Sequence, residues 1–452
     1  MNIPALNVEA AADPRSQDAS SQLVAQFARA SASLPGAGNA QIDDLREDAI
    51  AEFAVAGLPN RRVEQWKYTD LRRMMSEAYP PASAKSKPAL TAAQVEAALG
   101  EAAGIDAVKL VFVNGALRHE LSDVNGLPAG VSLTTLAEAL KSHDAWVLAV
   151  LGRTNPQAGE TVTLLNTAFM SDGVVLRLEP GAKLDRPVHL IHVTAGDTPL
   201  AATLRNIVVA GEGSEAAFIE SYVSAGATPA QLNVVTELSV GPGAKLRHYK
   251  LSGENKRTQH LSSAMVELSE GADYLAVNFA DGTELARHQT FLKYAGKGAR
   301  AHFYGTQLLV ERQHCDMTLI VNHDAVGCES REHVKAVLAD HAQGVFQAKV
   351  IVQPGAQQTD GRQMAQALLL SDNAEFDAKP ELEIYADDVK CNHGATSGAL
   401  DDDLMFYLRA RGIPEIEARS LLIQAFIGEV LDQVEHEGLR DALSARAARW
   451  LA

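Results

Sequence analysis

The stretch LNVVTELSVGPGAKLRHYKL, residues 232–251, holds the pattern that decides the fold. Two short apolar runs flank a Gly-Pro-Gly-Ala turn, and a near copy of that turn, EPGAKL, occurs at residues 179–184. Short Val- and Leu-rich runs bounded by Gly and Pro are typical of strands joined by turns. The stretch therefore predicts a strand, a turn and a second strand.

The same turn recurs along the chain at a nearly constant interval. Successive turn glycines are 32, 30, 28, 27, 29 and 28 residues apart, at Gly181, Gly213, Gly243, Gly271, Gly298, Gly327 and Gly355. A period of about 30 residues with no helical period inside it is typical of a β-solenoid, whose stacked coils share one core. A β-sandwich is the alternative, but it does not require such regular spacing.

Helical patterns flank the repeats on both sides. We expect helices within residues 22–58, at 91–99 and through 133–151, with a strand at Val108–Val113. These patterns predict a helical and mixed domain over residues 1–160 with a linker near 80–90, a solenoid over 161–398 and a helical domain over 399–452.

The C-terminal domain has helix start and stop signals. In DDDLMFYLRARG, acidic residues open a helix, Gly412 is expected just beyond its end, and Pro414 is expected at the first position of the next helix. That next helix has a predicted apolar stripe made of Ala418, Leu421, Leu422, Ala425, Phe426 and Val430. Such a domain either caps the solenoid or docks a partner, and the pattern leaves both open.

Composition limits the classes of function. The formal net charge of −17 argues against nucleic acid or an anionic membrane as the main partner. Three cysteines, Cys315, Cys328 and Cys391, are too few for a disulfide framework, and the N-terminus lacks the features of a secretory signal. No run approaches the roughly 20 apolar residues that cross a bilayer. We therefore expect a reduced, cytoplasmic protein.

Motifs of self-contained enzymes are missing. The sequence has no phosphate-binding loop, no H-E-x-x-H zinc motif and no G-x-S-x-G nucleophile elbow, and GEGSEA after Val209 lacks the third glycine of a dinucleotide fingerprint. The chain is not expected to be an ATPase, an oxidoreductase or a hydrolase on its own.

One pair of residues suggests metal or sulfur chemistry. In residues 359–398, two apolar runs flank the turn-forming segment SDNAEFDAKP, and Cys391 and His393 follow in what reads as a loop. Thiolate and imidazole suit iron and sulfur, but two ligands do not complete a site. Asp387 and Asp388 are candidates to orient His393, although acids in a loop more often form turns.

Other candidates have simpler structural interpretations. A second group of possible ligands consists of His314, Cys315, His323, Cys328, His333 and His341. Small cysteines and turn histidines in a solenoid are more often core and surface residues than metal ligands, and we favour that interpretation. Trp66 and Tyr68, which lie among mixed charges, are interpreted as packing anchors rather than a stacking platform.

Three segments together resemble the SufB/SufD family of iron–sulfur cluster assembly proteins. They are RRVEQWKYTDL at 61–71, DGRQMAQALLLSDNAEFDAKPELEIYADDVKCNHGATSG at 360–398 and FYLRARGIPEIEARSLLIQAFIGEVL at 406–431. A helical segment leads into WKYTDL, and the Cys-rich N-terminal motif often found in SufB is missing. The sequence is therefore more similar to the SufD branch.

The resemblance implies a mainly β fold, with a right-handed parallel β-helix flanked by N-terminal and C-terminal α-helical domains. It implies a non-catalytic scaffold subunit that pairs through its β-helix edge with SufB, with ATP hydrolysis in the ABC-type ATPase SufC. It also implies that the C-terminal helices contact SufC, and we assign that contact to Phe406, Tyr407, Arg409, Leu421 and Phe426.

The resemblance also implies a site residue. A nascent iron–sulfur cluster would be held transiently at the subunit interface by a SufB cysteine and by His393 of this chain, with Cys391 ranked second. Whether a flavin binds is left open, and the isolated chain is a candidate homodimer.

Two rival functions are also compatible with the sequence. A β-helix enzyme acting on polysaccharides would use acids next to strands, such as Glu237, Glu267 and Asp273, placed about 5–10 Å apart. Alternatively, the chain could work as SufB does, as a homodimeric scaffold that accepts sulfur directly.

Overall fold

Two long sheets form the body of the protein in the computed structural model, which describes residues 18–82, 88–153 and 160–451. The strands are β1 Val108–Val113, β2 Ala116–Leu117, β3 Val131–Thr135, β4 Val174–Leu178, β5 Val188–Thr194, β6 Leu200–Ala210, β7 Glu215–Ser224, β8 Ala230–Val240, β9 Lys245–Ser252, β10 Thr258–Leu268, β11 Asp273–Ala280, β12 Leu285–Tyr294, β13 Arg300–Leu309, β14 His314–His323, β15 Glu329–Leu338, β16 Gln343–Val352, β17 Asp360–Leu369, β18 Glu375–Ile384 and β19 Lys390–Gly398. The helices are α1 Ala19–Ala30, α2 Ala40–Ala56, α3 Leu71–Met74, α4 Ala92–Leu99, α5 Leu136–Ser142, α6 Ala145–Val150, α7 Thr161–Phe169, α8 Asp402–Ala410, α9 Glu415–Leu431 and α10 Glu437–Trp450.

From β4 onward the strands alternate between the two sheets. The even-numbered strands β4 to β18 form a nine-stranded sheet with β3, and the odd-numbered strands β5 to β19 form a ten-stranded sheet with β1 and β2. Every pair from β4 to β19 is parallel, and each strand pairs with the one that lies one coil away. The mainly β fold, with a parallel β-helix of about eight coils flanked by helices, is therefore confirmed.

The turn glycines do what the repeat predicted, with one exception. Gly243 has a φ of 61°, and the glycines at 181, 213, 271, 298 and 327 are also left-handed, a conformation that only glycine adopts without strain. At the seventh position the chain departs from the pattern, because the positive φ belongs to Gln358 and not to Gly355. The predicted turn at Gly355 is confirmed, although its glycine is not left-handed.

The space between the two sheets is the main core. Alternate residues of each strand point inward, so one column of coil-related residues, such as Val208, Leu238 and Val266, is almost completely buried. Each coil buries its apolar side chains against the coils on either side, so a single coil could not bury this surface alone.

The two ends of the solenoid differ. At the N-terminal end, β1 pairs in parallel with β5, and β3 pairs antiparallel with β4, so the first coil is covered. At the C-terminal end, β18 pairs only with β16 and β19 only with β17, and both strands are half-buried or exposed along their length. The C-terminal end of the solenoid is therefore open within the described residues.

Helices pack on the outer faces of both sheets. Helices α1, α2 and α7 contact the nine-stranded sheet through a cluster that contains Leu261 and Leu285 of the sheet. Helices α9 and α10 pack on the ten-stranded sheet, where Ile423 and Ile427 are buried against it. Burying each of these isoleucines contributes about 1.5–3 kcal/mol relative to exposure.

Several local predictions need correction. The helices predicted through 133–151 begin only at α5, because residues 131–135 pair with β4 as strand β3. The solenoid pattern placed at Thr161 begins with helix α7, which packs on the outside of the sheet, and the first coil strand starts at Val174. Pro414 lies one position before its helix, since its ψ of 146° is extended.

The apolar stripe predicted for α9 is only partly right. Ala418 and Val430 are buried, but Leu421 and Ala425 are exposed, and the helix instead packs through Ile423, Ile427 and Leu431. Helix α9 has apolar residues on two of its sides, and only one of these sides packs against the sheet. That choice leaves apolar side chains facing solvent.

The domain boundaries remain predictions. Residues 83–87 of the predicted linker lie outside the described residues, but Ala82 donates a backbone hydrogen bond of 2.7 Å to Ala201 O in β6. Within the described residues, no helix combines the length and the apolar character that a membrane crossing needs.

Candidate functional site at the open end of the solenoid

Residues 359–398 form the last strands of the solenoid, and this corrects two predictions. The segment SDNAEFDAKP is a turn only up to Ala374, since β18 starts at Glu375, and Cys391 and His393 lie in strand β19 and not in a loop. Pairing with β16 and β17 overrides the turn tendency of these residues. Pro380 is tolerated in β18 because an edge strand leaves one side of its backbone unpaired.

Cys391 and His393 lie on the same side of β19, because strand side chains alternate. Cys391 packs on the solenoid core and pairs in register with Gly361, where an added Cβ would be 3.5 Å from Cys391 Sγ. Burial raises the pKa of the Cys391 thiol, and the carboxyl groups of Asp360 and Glu332 act in the same direction. The thiol is therefore a half-buried group at the edge of the lumen.

The imidazole of His393 stands at the open edge. Its side chain is exposed, and no hydrogen bond or ion pair joins it to the rest of the described chain. No further strand of the described chain covers β19, so the exposed side chain is open to a ligand or a partner. One imidazole and one thiol at an unpaired strand can supply part of a metal coordination sphere but not all of it.

Asp387 and Asp388 do not orient His393. Both lie in the turn before β19, where Asp388 N donates to Gln357 Oε1 at 2.9 Å and Gln358 N donates to Asp388 O at 2.6 Å. The structure therefore supports a role for Asp387 and Asp388 in forming the turn.

The second group of possible ligands is dispersed. Cys315 and Cys328 are core residues, His323 stacks on Tyr294 with ring centroids 4.3 Å apart, and His333 lies on the outside, 3.1 Å from Gln366. Across residues 18–82, 88–153 and 160–451, no three His, Cys, Asp or Glu side chains are arranged to hold a metal ion. The core interpretation of Cys315 and Cys328 is therefore confirmed, whereas His314, His323 and His333 lie in strands and not in turns.

Trp66 is a packing anchor, as its sequence context suggested. Its indole is buried and lies under the guanidinium of Arg287, 3.8 Å from the ring centroid, and its Nε1 donates to Glu160 at 3.2 Å. Arg287 and Asp316 form a fully buried ion pair on the nine-stranded sheet. Together these contacts fix the WKYTDL motif on the solenoid.

Sequence reasoning missed this docking contact. Arg287 Nη2 donates to Gln65 O at 2.7 Å, and Thr69 Oγ1 donates to Asp316 at 2.5 Å. The available signal was a charged residue at the third position of each of two paired strands, Arg287 in LARHQTFLKY and Asp316 in HCDMTLIVNH. Buried charges of this kind require partners, and WKYTDL supplies them.

The predicted partner-binding residues occupy different environments. Phe406, Tyr407 and Leu421 are exposed by 75%, 54% and 42% of their surfaces, an unusual state for large apolar side chains. Arg409 forms an exposed ion pair with Glu415 at 3.3 Å. Phe426 is half-buried because it packs against the apolar cluster on the ten-stranded sheet, and Lys335 Nζ lies 4.4 Å from its ring centroid.

The acids proposed for a polysaccharide-active enzyme do not converge. Glu237 is buried and paired with Arg205 at 2.7 Å, whereas Glu267 is exposed in β10. Asp273 belongs to the other sheet and pairs with Arg247 and Arg300. Arginine partners already engage Glu237 and Asp273, so the structure gives these two acids a structural role and does not support that rival function.

Two family models match nearly the whole chain. The model of the SUF system FeS cluster assembly SufBD core domain matches residues 192–426, and the model of the SufBD protein N-terminal region matches residues 17–190. The first includes the solenoid from β6 onward and the open end.

Curated relatives span similar lengths. The chain is 31% identical over 429 residues to an iron–sulfur cluster assembly SufBD family protein of Synechocystis, covering 92% of this chain and 93% of that protein. It is 32% identical over 408 residues to the iron–sulfur cluster assembly protein SufD of Escherichia coli, covering 89% and 91%. It is 27% identical over 420 residues to the chloroplastic protein ABCI7 of Arabidopsis thaliana, covering 91% and 85%.

Proposed function

Since the chain belongs to the SufB/SufD family of iron–sulfur cluster assembly proteins and is most like SufD, we propose that it is a non-catalytic scaffold subunit of a cluster assembly complex. In this complex it pairs with a SufB-like paralogue and binds a SufC-like ABC-type ATPase. The observation that carries the proposal is the open end of the solenoid, where β18 and β19 have free edges and His393 is exposed.

The open end supports pairing with a second β-helix. Two free strand edges side by side present unpaired backbone donors and acceptors, which the strands of a paralogue would satisfy by continuing both sheets. Tyr385 and Ile384, which follow each other at the end of β18, are 59% and 42% exposed, so the contact would also bury apolar surface. A second copy of this chain is the competing partner.

His393 is the proposed contact to the cluster. The cluster is cargo, held for a time between His393 and a cysteine of the paralogue, with Cys391 in a secondary position. The half-complete donor set supports a shared site, because each subunit then supplies ligands that neither holds alone.

The exposed apolar residues of α8 and α9 support docking of the ATPase. The side chains of α8 and α9 that face solvent are Phe406, Tyr407 and Leu421. The half-buried ring of Phe426 is proposed to form part of the same docking surface. ATP hydrolysis is assigned to that partner, and the complex is proposed to work in the cytoplasm.

Co-expression with a SufB-like and a SufC-like protein, followed by purification through a tag on this chain, tests the assembly. We expect a stable complex of the three proteins. Recovery of this chain alone, or as a homodimer in the presence of both partners, contradicts the heteromeric scaffold.

The site is tested by His393→Ala in that complex. Because His393 has no hydrogen bond to the described chain, the variant should assemble normally and keep its thermal stability, while cluster formation from ferrous iron and sulfide falls. His341→Ala is the matched control, since His341 is an exposed histidine of another coil. Equal cluster yields for the two variants would remove His393 from the site.

The ATPase surface is tested by Phe406→Glu. A charge at this position should abolish co-purification of the ATPase without affecting the paralogue. Val55→Glu is the control, because Val55 is 91% exposed on α2, far along the chain from α8. Loss of the ATPase from both variants, or from neither, would refute the assignment.

A further inference from the structure

A column of inward-facing residues leads from the core to the open end. In the ten-stranded sheet, Phe303 of β13, Glu332 of β15, Gln363 of β17 and His393 of β19 are consecutive register partners. Neighbouring strands lie about 4.8 Å apart, so each side chain stands directly above the previous one. Glu332 is therefore two steps below His393, with Gln363 between them.

Glu332 is a buried acid that has no cationic partner among the described residues. Its side chain lies in the lumen, only 3% of the residue is exposed, and its hydrogen bond is to the hydroxyl of Ser330. Arg331, the neighbouring cation, faces outward and binds Glu329 at 3.2 Å and Asp360 at 3.1 Å. A lone carboxylate in such a place is costly, whereas a neutral carboxyl group is not.

Two hydrogen-bond acceptors in this column have no partner in the described structure. They are Oε2 of Glu332 and Oε1 of Gln363, both of them buried. The two residues are adjacent in the column, so a proton on Glu332 would turn one acceptor into a donor and satisfy both atoms. Burial raises the pKa of Glu332 to about 8, which agrees with a protonated group at neutral pH.

Gln363 connects the two sheets at the open end. Its Nε2 donates across the lumen to the backbone carbonyl of Glu381 in the edge strand β18, at 3.5 Å. Fixing Oε1 on Glu332 would orient the amide so that Nε2 faces β18. The two edge strands would then be held at a set separation.

We propose that Glu332 is a positioning residue of the open end: as a neutral acid it donates a hydrogen bond to Gln363 Oε1, and Gln363 in turn holds β18 in place for pairing with a partner. This inference rests on the proposed function, because a second β-helix must continue both sheets at once. A partner that meets β18 at the wrong distance from β19 could pair with only one of them. Glu332 thus acts through Gln363 and not on the cluster.

The surroundings of Glu332 contain few other titratable groups. Tyr294 faces it from β12 and is held neutral because burial raises its pKa, and His323 of β14 lies 3.2 Å from Ser330 Oγ with a pKa lowered to about 4. Cys328 lies just before β15 and Cys391 lies two residues before His393 in β19, and burial raises the pKa of both thiols. Ionisation of Glu332 is therefore the change expected near pH 8.

The test compares Glu332→Gln with Glu332→Leu by hydrogen exchange of the isolated chain, read by mass spectrometry in β18. Glutamine keeps a donor for Gln363 at every pH, whereas leucine has none. At pH 7 we expect Glu332→Gln to match the unmodified chain and Glu332→Leu to exchange about tenfold faster in β18, the effect of one lost hydrogen bond. Strand β14 is the internal control and should be unchanged.

A pH series separates positioning from bulk packing. With rates divided by intrinsic exchange at each pH, β18 of the unmodified chain should loosen from pH 7 to 9, whereas Glu332→Gln should show no such change. Gln363→Leu, which removes the connection without touching the acid, should be loose at all pH values. A Glu332→Gln variant as loose as Glu332→Leu, or an unmodified chain without the pH response, would overturn the proposal.

Binding to the SufB-like paralogue distinguishes this inference from the proposed function. If β18 responds as expected but no paralogue binds, the positioning role stands and the scaffold function fails. If the paralogue binds the Gln and Leu variants equally well, the scaffold function stands and the positioning role fails. If Glu332→Leu binds the paralogue about tenfold more weakly and Glu332→Gln binds it as tightly as the unmodified chain, both the scaffold function and the positioning role are supported.

Discussion

Arg287→Met is the sharpest test of how the N-terminal region is attached to the solenoid. Arg287 and Asp316 are both completely buried, and the guanidinium also covers the ring of Trp66 and donates to Gln65 O. Methionine keeps much of the length and volume of the side chain but removes its charge and its hydrogen bonds. The change therefore leaves Asp316 as an unpaired charge in the interior.

The structure sets the size of the effect. Asp316 would retain its hydrogen bonds from Thr69, Thr318 and Gln347, but no cation of the described residues would remain in contact with it. Breaking a buried pair by removing one partner costs about 3–5 kcal/mol. Because Asp316→Asn removes the remaining charge, the double variant Arg287→Met/Asp316→Asn should be more stable than Arg287→Met alone.

Urea unfolding followed by circular dichroism measures the difference as a shift of the midpoint at constant slope. Arg300→Met is the matched control, because Arg300 is 57% exposed and its ion pair with Asp273, at 3.0 Å, lies at the surface. That pair should contribute less than about 1 kcal/mol. A loss for Arg287→Met as small as that of Arg300→Met would refute the view that a buried ion pair anchors WKYTDL.

Two further predictions concern the cysteines and the glycines. In the native chain, iodoacetamide should label Cys391 first. Cys315 and Cys328 are exposed by only 0% and 1%, and burial raises the pKa of both thiols. Equal labelling of the three cysteines in peptide mapping would contradict this prediction. Gly173→Ala should cost about 3 kcal/mol, since its Cβ would lie 2.0 Å from Arg205 O, whereas Gly243→Ala, with open space but a φ of 61°, should cost about 1 kcal/mol. Equal midpoints in thermal unfolding would show that the close approach at Gly173 relaxes without cost.

Much of the fold could be predicted from the sequence because each coil repeats the same pattern of apolar strands and turns. A left-handed glycine follows each of the strands β4, β6, β8, β10, β12 and β14. The spacing of about 30 residues between such glycines, for example Gly213 and Gly243, therefore gives the length of one coil. The failures came where local tendency and pairing disagree. SDNAEFDAKP has the composition of a turn, yet most of it is strand because β16 offers it a complete set of backbone partners.

The candidate site could be predicted only in part. The types of residue at 391 and 393 pointed to iron and sulfur chemistry, and the family resemblance ranked His393 first. Whether His393 binds a cluster remains a prediction. The surroundings, namely an unpaired edge, an exposed imidazole and a buried acid two strands below, follow from the order in which coils stack and end.

The sequence by itself determined the coil period, the glycine turns, the helical flanks and the family to which the chain belongs, since all of these depend on residues close together in the chain. Tertiary structure decided which distant polar groups meet. Arg287 reaches Gln65 across 222 positions, and Glu332 stands beneath Gln363 only because the strands are in register. Burial then gives these contacts their strength, because a charge or a hydrogen-bonding group removed from water must find its partner within the protein.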